Sequence, residues 1–369
     1  MFLFNLSEEN IIFILGQCIV NYAVIYNCPN GGSISHAISA NINEDDQPDI
    51  IAAFYRNYTP SEHFGSGMVS ILLKNDDGTF TAQTIFDSNV SIPISVAAAD
   101  VNGNGKNDII IMLDGKSTDI LVFLNNDNGN FTEIQKTTFD GSEPAFMAVA
   151  DLNNDNKSDI VIGNYGSRYM NILFNTDNGT FNDQMNYNTS CRPFLTTADL
   201  NNNGTVDIIV TCANERKILI FHNDNNGTFS TNSTIYTDYA PAYSVIIDIN
   251  DDNKRDLIVT GYIPYYLAIY LNLGDRKFAD RTIYTFNQQP LSVAAEDMNN
   301  DRTIDIILGN GNSIDILFNS GNSTIIKQLT YPIYTLARVI AMNDMNADHR
   351  PDVIIGSAGT ISILYVNCN

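Results

Sequence analysis

A nine-residue pattern rich in Asp and Asn occurs seven times in this chain of 369 residues. The copies begin at Asn41, Asp100, Asp151, Asp199, Asp248, Asp297 and Asp344. Successive starts are 59, 51, 48, 49, 49 and 47 residues apart. Every copy has Asn at position 3, Asp or Asn at positions 1 and 5, and Asp at position 9. A near-regular period of this length is typical of repeat architectures, in which each unit is one small supersecondary element.

The segments around each nonamer predict strands. Short β-branched runs follow position 9, as at residues 109–111, 160–162 and 208–210, and such runs are typical of strands buried on both faces. A second apolar run comes about ten residues later, followed by an Asn-Gly or Asp-Gly turn that predicts a hairpin. The run before the nonamer is rich in small residues, as in Val-Ala-Ala-Ala at 96–99, which suits a strand crowded around an axis.

Four strands of about five residues with connections of about four to six residues account for about 45 residues, close to the observed period. Seven units therefore predict an all-β fold, a seven-bladed β-propeller of four-stranded antiparallel blades. The last unit has only three strands before Asn369, so we expect an N-terminal strand at about residues 19–26 to complete it and close the ring. Residues 19–369 then form a single domain, and residues 1–18 are a leader or disordered tail.

Residues 11–26 permit another interpretation, in which this whole apolar segment is a leader. The segment has 16 residues and is interrupted by Gln17 and Asn21, whereas a membrane span needs about 20 apolar residues. We therefore predict no membrane span. A signal peptide lacks its usual positive start here, because the first basic residue is Arg56. The formal charge of −23, without any Lys/Arg cluster, argues against nucleic acid as a partner.

The nonamer supplies oxygen ligands in the spacing that a hard cation requires. Side-chain oxygens recur at positions 1, 3, 5 and 9, with a backbone carbonyl available between the last two, and Ca²⁺ takes six to eight oxygen ligands. The side-chain ligand candidates are Asn41, Asn43, Asp45, Asp49, Asp100, Asn102, Asn104, Asp108, Asp151, Asn153, Asp155, Asp159, Asp199, Asn201, Asn203, Asp207, Asp248, Asn250, Asp252, Asp256, Asp297, Asn299, Asp301, Asp305, Asp344, Asn346, Asp348 and Asp352. We expect up to seven Ca²⁺ ions, which would bring the formal charge from −23 to −9.

Magnesium, zinc and a plain turn each fit the nonamer less well than calcium does. Mg²⁺ demands stricter octahedral geometry, and Zn²⁺ prefers His or Cys, which no ligand position holds. Asp/Asn/Gly loops also form plain turns without metal, but such turns do not require Asp at position 9. Position 6 must turn sharply, and Arg302 and His349 in copies six and seven put the geometry of those loops in question. Copies three, five, six and seven each carry three carboxylates at the ligand positions, whereas copies one, two and four each carry two. We therefore expect copies one, two and four to bind calcium more weakly.

These units resemble the FG-GAP or VCBS-type repeats of integrin alpha-subunit propellers and related extracellular proteins. The match runs from about residue 28 to the C-terminus and rests on D-x-N-x-D-x-x-x-D followed by Ile-Ile-Val strands. The resemblance implies calcium bound by side chains at positions 1, 3, 5 and 9 and by the carbonyl at position 7. That carbonyl belongs to Gln47, Lys106, Lys157, Thr205, Lys254, Thr303 and Arg350. The Phe-Gly and Gly-Ala-Pro signature is eroded, so no integrin proper is implied.

The connections between second and third strands are expected on the face opposite the nonamers, and some are rich in Tyr and Arg. These residue types dominate binding hot spots, and loops on a rigid scaffold are where function concentrates. Candidate ligand residues are Tyr55, Arg56, Tyr58, Tyr165, Arg168, Tyr169, Tyr262, Tyr265 and Tyr266. An equally simple interpretation is that these tyrosines only cover the end of the barrel.

The cysteines and sequons favour an oxidising, extracellular compartment. Cys191 and Cys212 flank the first two strands of unit four and are candidates for a disulfide, while Cys18 and Cys368 could join the two ends of the closing blade. Cys28 is left over. Several N-x-S/T sequons, including Asn130 and Asn226, fit a secreted glycoprotein. Millimolar extracellular calcium also suits weak loops.

The sequence leaves three functions open. The first is a secreted, calcium-stabilised recognition or adhesion module for a protein or glycan. The second is a calcium-dependent carbohydrate-active enzyme, lyase or hydrolase, since carboxylates and tyrosines can act on sugars. The third is a purely structural repeat protein. We predict no catalytic residues, because the four histidines are spread over three units without a Ser or Cys motif beside them; they are His36, His63, His222 and His349.

Overall fold

A computed structural model of the chain describes residues 4–5, 10–15, 18–28, 32–56, 65–115, 118–127, 129–229, 231–274, 276–333 and 336–368. Side chains are described for the same residues except 4–19, 134, 231, 232 and 368. Within these ranges the chain forms strands and turns and no helix. Tyr58 and His63 lie outside the described residues.

Six four-stranded antiparallel sheets follow one another along the chain, and we number them as blades 1 to 6. The strands of blade 1 are Ser33–Ala40, Asp49–Arg56, Ser66–Lys74 and Phe80–Ser88. Those of blade 2 are Ser91–Ala99, Asp108–Gly115, Asp119–Asp127 and Asn130–Thr138. Those of blade 3 are Pro144–Ala150, Asp159–Asn164, Tyr169–Phe174 and Asp183–Asn188. Blade 4 consists of Pro193–Ala198, Asp207–Cys212, Lys217–His222 and Thr231–Tyr236. Blade 5 consists of Ala240–Ile247, Asp256–Tyr262, Tyr266–Tyr270 and Thr282–Thr285. Blade 6 consists of Ser292–Glu296, Asp305–Gly309, Ser313–Asn319 and Ile325–Pro332. A small hairpin of Asn272–Gly274 and Lys277–Phe278 is inserted in blade 5.

Blade 7 is built from both ends of the chain. Its first three strands are Val339–Asn343, Asp352–Gly356 and Thr360–Cys368, and its fourth is the N-terminal strand Cys18–Asn27, antiparallel to Thr360–Cys368. The predicted closing strand and the seven-bladed propeller are thereby confirmed. Two further strands, Asn10–Leu15 and Phe4–Asn5, extend the same sheet outward. A leader within residues 1–18 stays a prediction.

The core lies between consecutive blades. Second strands are buried on both faces, so Ile109, Ile110 and Ile111 are all 0% exposed. In blade 2 the side chain of Ile110 packs toward blade 3, where it joins Ile160 in one apolar cluster. Each fully buried aliphatic side chain contributes about 1.5–3 kcal/mol, and this repeated apolar contact is what holds the blades in a ring.

The strand order puts the nonamers and the Asn-Gly turns on one face of the disc. Nonamers join first to second strands, and the turns join third to fourth strands, so both lie at the same strand ends. Contacts link them directly, as in Gln47 Nε2 to Asp76 Oδ1 at 3.1 Å and Lys106 Nζ to the Asn126 carbonyl at 3.2 Å. We call this side the nonamer face and the other side the opposite face.

Five buried asparagines at the ends of third strands join each blade to the one before it. Each amide nitrogen donates to the carbonyl at nonamer position 2 of the preceding blade, at 2.7–2.8 Å. The five are Asn125, Asn175, Asn223, Asn272 and Asn319. The corresponding residues in blades 7 and 1 are Val366 and Lys74. The asparagine bond therefore spans five of the seven seams, and the two seams bordering blade 7 lack it.

Replacing Asn223 by Ala should destabilise the fold by about 1–3 kcal/mol, because the buried carbonyl of Leu152 and the half-buried carbonyl of Val206 both lose their donor. Urea unfolding followed by circular dichroism measures the change. Asn182→Ala is the matched control, since Asn182 is exposed, and we expect it to stay within about 0.5 kcal/mol of the parent. Equal stability of Asn223→Ala and the parent would show that the seam bond contributes nothing.

Candidate functional site

The nonamer backbone wraps around its first side chain. In copy three, Asp151 Oδ1 accepts from the backbone N–H of Asp155 at 3.2 Å, and Oδ2 accepts from that of Asn156 at 2.8 Å. Copies five, six and seven repeat this pair of bonds, and copies two and four repeat it with Gly at position 6. The first carboxylate is thereby fixed on the inside of the loop.

Positions 3 and 5 also point inward. Asn153 Oδ1 accepts from the Asp155 N–H at 3.0 Å, and Asp155 Oδ1 accepts from the Lys157 N–H at 3.0 Å. These bonds to the residue two places ahead hold alternate side chains on one side of a tight loop. The sequence pattern predicted positions 1, 3 and 5 as ligands, and the structure brings them together around the same loop interior.

Position 6 turns through the left-handed region in all seven copies. Arg302 has a φ of 69° and His349 one of 63°, close to the 63° of Asn156 and the 81° of Gly105. A non-glycine residue in this region costs about 1–2 kcal/mol. Copies six and seven therefore have the same loop backbone as the other copies, although Arg302 and His349 occupy position 6.

The amide at position 3 lies against the carboxylates beside it. Asn299 Nδ2 donates to Asp301 Oδ2 at 2.8 Å, and Asn346 Nδ2 to Asp348 Oδ2 at 3.1 Å. In copy five the Asn250 amide nitrogen bridges Asp248 Oδ1 at 3.0 Å and Asp252 Oδ1 at 3.1 Å when the amide is oriented to satisfy its donors and acceptors. The amide N–H₂ thus offsets the repulsion between acids, and a cation in the loop would replace it once the amide turned to present its oxygen.

The Asp at position 9 is buried and tied to the backbone on both sides. Asp305 is 0% exposed; its Oδ2 accepts from the Met298 N–H at 3.1 Å and its Oδ1 from the Asn319 N–H at 2.9 Å. Six of the seven copies show both bonds. This Asp therefore joins the nonamer to the third strand of its blade, a structural role that the sequence pattern did not predict.

Burial sets the proton affinity of these carboxyls. It raises the pKa of Asp159 and Asp256 to about 6 and that of Asp305 and Asp352 to about 7, against the lowering effect of the backbone N–H bonds. The neighbouring acids of the same nonamer raise the pKa further. A nearby cation would reverse the last effect, because it favours the charged form.

The donor chemistry of the nonamers fits a hard cation, although carboxylates alone do not preform the site. Among the described residues, the one group of three His, Cys, Asp or Glu ligand atoms within 4.8 Å of one another is Cys191, Cys212 and Glu215, and its two cysteines are joined in a disulfide. A cation bound in a nonamer would therefore need the amide oxygen at position 3 and the carbonyl at position 7 as ligands besides the carboxylates.

The predicted ligand residues of blade 1 lie on the opposite face. Tyr55 Oη accepts from Arg338 Nη1 at 3.2 Å, and Arg56 pairs with Asp87 at 2.8 Å. Tyr55 and Arg338 are both positioned next to the axis of the ring, since both line the same cavity.

The candidates of blades 3 and 5 divide into three groups. Tyr165 packs in an aromatic cluster with Phe146 and Phe194, 6.0 and 5.4 Å between ring centroids. Arg168, Tyr262 and Tyr265 stay at the surface or half-buried, and Tyr169 donates to the Asp140 carbonyl at 2.7 Å. Tyr266 is 2% exposed and belongs to the core between blades 4 and 5, so it cannot contact a ligand from the surface.

A cavity opens on the ring axis at the opposite face. It comprises two adjoining spaces of about 350 and 550 Å³, which share Ser35, Tyr243, Leu291, Arg338 and Val339. The smaller space is lined by residues at the start of the first strands of all seven blades. We call the two spaces together the axial cavity. Their combined size is within the range of small-molecule sites.

Aromatic rings form one wall of the axial cavity. Phe146, Phe194 and Tyr243 lie with ring centroids 4.3–6.2 Å apart. Burial raises the pKa of the Tyr243 hydroxyl, and the nearby charge of Arg338 opposes that rise. The sequence pattern did not single out these residues, although a signal was present: each follows, within two positions, the Pro that opens its unit, at Pro144, Pro193 and Pro241.

One histidine has a serine neighbour that the sequence did not reveal. His222 Nε2 lies 2.7 Å from Ser233 Oγ, and its Nδ1 lies 4.0 Å from Asp207 Oδ1. Asp207 Oδ1 already accepts from the Asn223 N–H. Burial lowers the pKa of His222 to about 4, so the imidazole is a weak base at neutral pH.

Two of the candidate cysteines are bonded. Cys191 and Cys212 form a disulfide with their Cα atoms 5.5 Å apart. Cys18 and Cys368 are direct partners in the strand register, and their sulfur atoms lie outside the described residues. Cys28 is buried, and burial raises the pKa of its thiol.

Fold and loops together define a class: a propeller whose blades each carry an Asp- and Asn-rich loop between the first two strands. The model of the FG-GAP-like repeat matches residues 41–111, 101–162, 151–210, 199–259 and 248–308. The chain therefore belongs to the FG-GAP-like repeat family, as its resemblance to those repeats predicted.

Comparison with solved structures shows the same fold. The chain is similar to a lectin of Agrocybe aegerita that specifically recognises non-reducing terminal N-acetylglucosamine, with a TM-score of 0.56 and 17% identity over 86% of this chain and 85% of the other. At this identity the similarity concerns the fold alone. No match was found among curated protein sequences. The described part of the chain contains no helix long and apolar enough to cross a membrane.

Proposed function

We propose that this chain is a secreted recognition module that binds glycans in the axial cavity and is stabilised by calcium in its nonamers. The observation that carries the proposal is the composition of that cavity, which is lined both by the aromatic wall and by the hydroxyl-bearing residues Ser35, Ser95 and Ser244. Sugar rings offer C–H faces to aromatic rings and hydroxyls to polar groups, so such a mixed surface suits them. Recognition of a sugar by the Agrocybe aegerita lectin supports the same class of ligand for this fold.

Calcium is proposed as a structural ion. Positions 1, 3, 5, 7 and 9 of each nonamer would hold it, and the ion would supply positive charge among acids that otherwise repel one another. Copies three, five, six and seven, with three carboxylates, would bind more tightly than copies one, two and four. Copy one starts with the neutral Asn41, whose side-chain oxygen accepts the N–H of Glu44, so it is the weakest candidate.

Secretion rests on the covalent chemistry of the chain. A disulfide such as Cys191–Cys212 persists in oxidising compartments and is rare in the cytosol. Extracellular calcium near millimolar also matches the affinity of loops with few carboxylates.

The calcium-loaded protein should bind a subset of glycans on an array, and Tyr243→Ala should lower that binding at least about ten-fold, because it removes an aromatic ring from the cavity wall. Tyr236→Ala is the control, since Tyr236 is 77% exposed on the outer strand of blade 4. Circular dichroism establishes that both variants fold. An absence of glycan binding by the parent, or equal binding by Tyr243→Ala and the parent, contradicts the proposal.

The same protein can be used to test the alternative that the chain is a carbohydrate-active enzyme. Incubating the protein with polysaccharides, with and without calcium, and measuring released reducing ends or unsaturated products detects hydrolysis or lysis. We expect no product, because His222 is a weak base at neutral pH and the acids of the nonamers are proposed to hold calcium.

A further inference from the structure

The axial cavity differs in charge from the rest of the molecule. The chain has 42 Asp plus Glu against 19 Lys plus Arg, yet no Asp or Glu is among the described residues that line the two adjoining spaces. Arg338 lines both of them. A cavity without acids and with an exposed cation among its lining residues favours an anionic group.

The guanidinium of Arg338 is positioned without being neutralised. The backbone N–H of Arg338 donates to the Gly356 carbonyl at 3.1 Å, and Nη1 donates to Tyr55 Oη at 3.2 Å. Among the described residues no carboxylate lies within 4.0 Å of it, in contrast to Arg56, which pairs with Asp87. Arginine offers five N–H donors in a planar fork, so most of its donors are available to a carboxylate.

The other residues that line the axial cavity indicate which kind of molecule the carboxylate should belong to. The aromatic wall of Phe146, Phe194 and Tyr243 lies in the same cavity as Arg338, and several serines line that cavity too. Ser244 lines the cavity beside Tyr243, while Ser35 donates to the Pro93 carbonyl at 2.6 Å and keeps its oxygen as an acceptor. A sugar ring with a C–H face, several hydroxyls and one carboxylate matches these three features together.

We propose that the axial cavity binds a carboxylated sugar, a hexuronate or a sugar of the same chemistry, with the carboxylate paired to Arg338 and the ring stacked on the aromatic wall. This inference rests on the proposed glycan-recognition function and adds the charge of the ligand and the residue that selects it. Tyr55 is a positioning residue, because its hydroxyl holds the guanidinium and need not contact the sugar.

The test uses D-glucuronate and D-glucose, which differ only in the carboxylate at C6, titrated by calorimetry into the calcium-loaded full chain at low salt. We expect glucuronate to bind at least about ten-fold more tightly than glucose, since a bidentate charge-assisted pair is among the stronger polar contacts. Arg338→Gln should reduce the ratio to about two-fold or less, and Arg338→Lys should keep part of it.

Lys327→Gln is the matched control, because it removes one positive charge from the exposed outer strand of blade 6 and should leave the ratio unchanged. The inference is overturned if the parent binds the two sugars equally, if Arg338→Gln retains the preference, or if acetate binds as tightly as glucuronate. Binding of neutral glycans alone on the array would overturn the inference and leave the proposed function standing. Binding of no glycan at all would overturn both.

Discussion

Removal of calcium with a chelator is expected to lower the melting temperature by about 10–15 °C. At 1 mM Ca²⁺ and a dissociation constant of about 0.1 mM, a site present only in the folded state contributes about 1.4 kcal/mol, and seven such sites contribute about 10 kcal/mol. For a chain of 369 residues, 1 kcal/mol corresponds to about 1.3 °C. Differential scanning calorimetry with and without chelator measures the shift.

Readdition identifies the ion. Ca²⁺ should restore the original transition, whereas equimolar Mg²⁺ should restore little, because Mg²⁺ keeps its waters and requires stricter geometry. Calorimetric titration of the chelated protein should give no more than seven ions. Identical melting curves in calcium and in chelator would mean that the nonamers are plain turns and that calcium has no structural role here.

The variant Asp305→Ala is expected to lose about 2–6 kcal/mol of unfolding free energy even in the presence of chelator. Both carboxylate oxygens of this buried residue accept backbone N–H groups, so its removal leaves two buried donors without partners. Each unsatisfied buried donor costs about 1–3 kcal/mol. Denaturant unfolding in chelator measures this contribution separately from any metal.

The matched variant is Asp301→Ala in the same nonamer. Asp301 is exposed and its bonds lie within the loop, so in chelator we expect a change of no more than about 1 kcal/mol. In calcium both variants should lose the contribution of one site in addition. Equal losses for the two variants in chelator would contradict the structural role assigned to position 9. If each variant loses the same stability relative to the parent in calcium as in chelator, copy six binds no metal.

The architecture was predictable because it is a property of local, repeated patterns. Hydrophobic periodicity, the Asn-Gly turns and the unit length determine four strands for each blade, and the number of nonamers determines seven blades. The closing strand was predictable for the same reason, since residues 24–26 share the pattern of the other outer strands. Repetition makes each interpretation testable several times within one chain.

The rest depended on contacts between residues far apart in sequence. Arg338 and Tyr55 are 283 positions apart, and nothing local relates them. In the sequence Tyr266 resembles its neighbours in a Tyr-rich loop. In the structure it is the first residue of the third strand of blade 5, where it pairs with Gly261 and its side chain lies in the core. The buried asparagines were part of what looked like a turn, and only the packing of blade on blade shows that their amides reach the preceding nonamer.

The uneven distribution of the seam asparagines bears on how the ring comes apart. Blade 7 is bordered by the two seams whose equivalent residues are Val366 and Lys74, and it is also the sheet that the chain's two ends build jointly. Separating it from blades 6 and 1 breaks apolar contacts without breaking any of those asparagine bridges. Blades 1 to 6 are therefore linked by five asparagine bonds, and we expect the native ring to open first at the two seams that border blade 7.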